Sequence, residues 1–88
     1  MFNSAREEIL RLSIERLNNK VESIMFSINI ILSNPDKAEK PVDKMTELLI
    51  EFSVAENALV HAKSLLTQSL EQKMRELESL HKDNKTDQ

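Results

Sequence analysis

Leu10, Ile14, Leu17, Val21, Ile24, Ile28 and Ile31 follow one another at steps of 4, 3, 4, 3, 4 and 3 residues. A 3–4 alternation of this kind keeps one narrow stripe of an α-helix apolar and makes a heptad seam for a second helix. Further along, Met45, Leu48, Phe52, Ala55, Leu59, Ala62 and Leu66 step by 3, 4, 3, 4, 3 and 4. The second order mirrors the first, as an antiparallel partner requires. Folding the chain back pairs Ile31 with Met45, Ile28 with Leu48, Ile24 with Phe52 and Val21 with Ala55. It then pairs Leu17 with Leu59, Ile14 with Ala62 and Leu10 with Leu66. The two numbers in every pair sum to 76, so one register satisfies seven layers at once. Ala55 and Ala62, together with Ala58, are expected to let the helices approach closely.

Between the seams lies Ser33-Asn34-Pro35-Asp36-Lys37-Ala38-Glu39-Lys40-Pro41, which holds both prolines of the chain. Asn-Pro marks a turn, and Pro41 suits the first turn of a new helix because its missing N–H is not needed there. Ser4 has the spacing of an N-cap for the first helix, with Glu7 three residues on. The pattern predicts an all-α fold, an antiparallel two-helix hairpin of coiled-coil type within a single domain, residues 1–82. Helix 1 is expected over about 4–33, a loop over 34–40 and a longer helix 2 over about 41–82, with 83–88 a disordered polar tail. A seam of one helix could also pair with the same helix of another copy, but the short loop makes the intramolecular hairpin cheaper in entropy.

The apolar residues exceed what one seam uses. Met25, Phe26, Ile30 and Leu32 lie off the seam of helix 1, and Leu49, Ile50, Val54, Val60 and Leu65 off that of helix 2. A helix apolar nearly all round is covered by more than one neighbour, and a second hairpin completing a four-helix bundle is the simplest cover. Beyond Leu66 the apolar steps become 4, 4 and 3 through Leu70, Met74 and Leu77, with Leu80 after them. That reads as a stutter followed by an amphipathic arm that overhangs helix 1 and needs a partner. The residues expected to bind partners are therefore Met25, Phe26, Ile30, Ile50, Val54, Leu70, Met74, Leu77 and Leu80.

Composition excludes more than it includes. The 88 residues contain no glycine, cysteine, tryptophan or tyrosine. Phosphate-cradling loops, dinucleotide fingerprints and nucleophile elbows all rely on glycine, and aromatic stacking platforms are not expected. The net charge is −3 with the bases scattered among acids, which disfavours nucleic acid. Ile24 to Leu32 is the most apolar stretch and is far short of the roughly 20 residues a membrane span needs. The N-terminus lacks the apolar core of a signal peptide. A cytoplasmic or otherwise intracellular location is the default expectation.

His61 and His81 stand twenty positions apart without a His/Cys set around them, so no metal site is expected; His61 is read as a half-buried polar residue. The acidic pairs Glu7–Glu8, Glu47–Glu51 and Glu76–Glu78 alternate with bases and read as solvated faces, and no serine has a histidine placed to activate it. No catalytic residue, cofactor or small-molecule substrate is expected.

No family signature is present. The Asn34-Pro35-Asp36-Lys37 turn, followed by a regularly apolar helix, resembles the loop of type III secretion needle subunits over about thirty residues. The general shape is similar to needle chaperones and to short hairpin subunits of Mediator, DASH or BLOC-type assemblies. Needle subunits end soon after the second seam, whereas this chain continues with a charged arm. The reading is a non-enzymatic interaction module, a small helical adaptor or structural subunit of a coiled-coil assembly. Its partners would be other helical proteins or a second copy. The alternative is a secretion-type chaperone or filament-forming hairpin.

Overall fold

The structure, a computed structural model, describes residues 2–86 and the side chains of residues 5–82. Two helices, α1 (Phe2–Ser33) and α2 (Pro41–Thr86), are joined by a short 3-10 turn at Pro35–Lys37. They pack against each other as an all-α helical hairpin, with no strand among the described residues. α1 starts at Phe2 rather than at a Ser4 cap, so Ser4 lies inside the helix. α2 runs on to Thr86, past the expected end at Lys82. Of the polar tail, Asp87 and Gln88 lie outside the described residues.

The seam lies where the heptads put it. Ile24, Ile31, Leu48, Ala55 and Ala62 are buried, and Val21, Ile28, Met45 and Phe52 pack half-buried around the first four. The remaining seam residues, Leu10, Ile14, Leu17, Leu59 and Leu66, are also half-buried. Ala55 is the most enclosed residue, at 2% exposure. A methyl there brings the two backbones together and leaves no room for a larger group. Ala58 contributes nothing to this approach and is exposed, because it lies on the flank of the stripe.

The seam also outlasts its apolar residues. The 3–4 steps continue from Leu66 to Ser69 and Lys73, and backwards from Leu10 to Glu7. Glu7 meets both across the helices: Ser69 Oγ donates to its Oε1 at 3.2 Å and Lys73 Nζ lies 2.5 Å from the same oxygen. Glu7 with Ser69 again sums to 76, so an eighth, polar layer continues the same register. The expected stutter after Leu66 is therefore a change of face. Leu70 and Leu77 belong to one row outside the seam and Met74 to the row beside it, while the seam itself turns polar.

The turn is built without glycine. Ser33 Oγ donates back to the Asn29 carbonyl at 2.8 Å and Asn34 leaves helical geometry at φ −150°. Lys40 then takes φ 49°, in the left-handed region, and its carbonyl accepts the N–H of Lys44 at 3.0 Å. That bond opens α2. A side chain in this region costs roughly 1–2 kcal/mol, and with no glycine in the chain a lysine carries that conformation here.

The result is a rod of 75 × 18 × 16 Å with a radius of gyration of 20.9 Å. A compact domain of this length would have a radius near ~12 Å. The accessible surface is 7359 Å², about 2,000 Å² above that of a compact monomer of the same mass.

Two substitutions probe these features. Ala55→Leu is expected to wedge the helices apart and cost about 1–3 kcal/mol, while Ala58→Leu on the flank stays within about 0.5 kcal/mol of wild type; thermal unfolding followed by circular dichroism reads both. Lys40→Gly relieves the left-handed strain against a larger unfolded-state entropy and is expected to stabilise by about 0.5–1 kcal/mol. A melting temperature lowered by the full entropic cost of a new glycine, about 0.5–1 kcal/mol, would show the corner to be unstrained.

Candidate interaction surfaces

Every residue expected to bind a partner is exposed. They fall on three surfaces, set by the position of each row relative to the seam.

The first is a flank. One step after the seam residues Ile24 and Ile31 of α1 come Met25 and Leu32, and one step after Leu48 of α2 comes Leu49, with Val42 a heptad before it. In an antiparallel pair these two rows lie side by side. Met25 and Leu49 accordingly line one groove of about 230 Å³ with Ile28, Asn29 and Phe52. Its floor is the half-buried part of the seam and its walls are exposed apolar side chains. Val42, at 76%, is the most exposed large apolar residue among those described.

The second surface is the pair of outer faces. Phe26 (67% exposed) and Ile30 lie on the side of α1 turned away from the seam, and Ile50 and Val54 on that of α2. The α1 face has a second apolar end at Ile9 and Leu12. Those two, and Val42, were legible only by carrying the heptad count to both ends of each helix: Ile9 repeats three heptads later as Ile30, and Leu12 two heptads later as Phe26.

The third surface is the arm. Leu70, Met74, Leu77 and Leu80 are all exposed. In the register that sums to 76, Phe2 stands opposite Met74, so no described residue of α1 lies opposite Leu77 or Leu80. Leu65, by contrast, is half-buried against the helix pair.

Between groove and arm the electrostatics are local. Arg11 is held on its own helix by Glu8 at 2.5 Å and Glu15 at 3.7 Å, all three well exposed; such pairs add little to stability. The hydrogen bond from Arg11 holds the Glu8 carboxyl below its ordinary value. Glu7 is the exception, because its side chain is only 16% exposed. The hydrogen bond from Lys73 foremost holds its carboxyl below the ordinary 4.5; desolvation opposes it, and the Ser69 hydrogen bond adds a lesser lowering.

No group of three or more metal-ligating side chains converges among the described residues. His61 is exposed instead of half-buried, on the outer side of α2. An open recess of about 840 Å³ at the turn is lined by Glu39, Asp43 and Glu47 with Lys40 and Lys44, charges of both signs beside Ser27 and Ile30. No helix of the described residues is long and apolar enough to cross a membrane. Comparison with known protein families, curated proteins and solved structures finds no match.

A carboxyl depressed in the folded state supports folding above its unfolded value and loses that support as pH falls through the folded value. The melting temperature is therefore expected to fall as pH drops below about 4.5. Glu7→Gln should flatten that acid limb and lower stability at neutral pH. An acid limb of unchanged steepness in the variant would show the polar layer to be energetically silent.

Proposed function

We propose that the protein is a non-enzymatic interaction module, a small helical adaptor or structural subunit that presents helix faces to other helices. The observation that carries this reading is the balance of apolar side chains. Among the described residues fifteen large hydrophobics are exposed, against five buried hydrophobics in the core. Scattered apolar residues are normal on a monomer, but here they gather in rows at helical spacing, and rows of that kind mark binding surfaces. The rod shape supports the same reading, because a two-helix hairpin has one seam and no second layer to cover the rest. A four-helix bundle formed on association would cover the loop-proximal faces, and the arm offers a coiled-coil strand to a further partner.

Sedimentation of purified protein, with Phe26→Asp as the probe, tests this. The wild type is expected to exceed monomer mass, or to fold fully only with a helical partner added. Phe26→Asp should weaken that association while leaving helicity intact, since Phe26 faces away from the seam. A wild type that stays a stable, fully helical monomer and is indifferent to Phe26→Asp would overturn the reading.

A further inference from the structure

Among the described residues, Glu56 and Lys63 are the only formal charges in two adjacent rows of α2. The row that starts at Val42 reads Val42, Leu49, Glu56, Lys63, Leu70, Leu77 at strict seven-residue spacing. The row beside it reads Thr46, Ser53, Val60, Thr67, Met74, His81, without a formal charge at neutral pH. All of these residues are exposed. In a chain that is 31% charged, such a face is unlike the other side of the same helix, where Asp43, Glu47, Glu71 and Glu78 stand.

Neither Glu56 nor Lys63 makes an ion pair or side-chain hydrogen bond among the described residues. Their neighbours at three and four residues are Phe52, Ser53, Leu59, Val60, Leu66 and Thr67, none of them charged. Two full turns separate them, about 10 Å along the axis, which is beyond pairing with each other.

The row is self-complementary when reversed. Val42 with Leu77, Leu49 with Leu70 and Glu56 with Lys63 all sum to 119, so the midpoint falls between Leu59 and Val60, and Val60 is the exposed one of the two. We infer that a second copy of this chain packs on this face, α2 antiparallel to α2 about a two-fold axis beside Val60. Glu56 of each copy then meets Lys63 of the other, twice, and Leu70 from the arm of one copy closes over the Met25–Leu49 groove of its partner. A two-fold interface must be self-complementary in this sense. A parallel pair would set Glu56 against Glu56 and Lys63 against Lys63. The overlap runs along about 50 Å of helix, and the surface surplus of the rod exceeds the ~800 Å² that each partner gives to a standard interface.

This inference rests on the proposed interaction role, and charge reversal on the full chain tests it. Glu56→Lys alone and Lys63→Glu alone should each weaken the dimer about tenfold or more at low salt. The double exchange should restore wild-type affinity, and so should mixing the two single variants in equal amounts. The chain has no cysteine, so Val60→Cys gives a unique reporter that should form a disulfide-linked dimer rapidly. Leu70→Cys alone should not, but should cross-link to Leu49→Cys. Single reversals that leave the dimer unchanged, or Leu70→Cys cross-linking to itself as fast as Val60→Cys, would overturn this face and its antiparallel sense. In that case an associating wild type still upholds the interaction role. A wild type that remains a folded monomer at all concentrations overturns the second copy as the occupant.

Discussion

Two helices meet along one line, and that line is the only place where this chain can hide anything from water. Each helix turn offers the seam one or two side chains, so the buried set is short: three large aliphatics, Ile24, Ile31 and Leu48, and two alanines. At about 25 cal/mol per Å² of apolar surface removed from water, a core of this size leaves little margin over chain entropy. Close approach at Ala55 and Ala62 raises the contact per turn but cannot add a layer. The rest of the molecule follows from this shortage: the length of the rod, the apolar flank beside the seam, and the rows left facing outwards.

Register is decided by a few layers that admit no alternative. A slip of one heptad would carry Ala55 away from Val21 and set Glu7 against Ala62 in one direction or Glu76 in the other, instead of Ser69 and Lys73. The polar layer thus acts as a stop at the open end, at a modest cost in burial, in the way single polar core positions set register in coiled coils. The opposite end is fixed by the corner at Lys40 and the proline that follows it. Between these two stops the apolar layers have only one way to mesh.

The hairpin, its turn and seven of its layers were readable because heptad spacing and the reversed order of large and small residues carry the same information as the contact list. What escaped was polar or terminal. A search for apolar steps passes over Glu7, Ser69 and Lys73, although they keep the 3–4 spacing, and the jump from Leu66 to Leu70 then looks like a stutter. Ser4 resembles a cap because local patterns do not reveal that the helix has already begun two residues before it. Ala58 is as small as Ala55, but one lies on the line of contact and the other beside it. All nine expected contact residues lie on the surface, since the count that defines a seam also defines what is left out of it. Which of those rows are used together depends on how the two helices set their flanks side by side, and that needs the register in three dimensions.

Burial is unevenly spread along the rod. The enclosed cluster of Ile24, Ile31, Leu48 and Ala55 belongs to the half near the turn, while the far half holds only Ala62 as a buried residue. Sequence separation grows in the same direction, from 14 residues between Ile31 and Met45 to 62 between Glu7 and Ser69. Closing the short loop first costs least entropy, and each closed layer shortens the loop left for the next. Folding is thus ordered like a zip that starts at the turn, and opening runs the other way. Amide protons near Ile28 and Leu48 then exchange through the rarest openings, and those near Leu10 and Leu66 through common ones. An arm that joins another chain at the open end therefore grips the molecule where it is quickest to part.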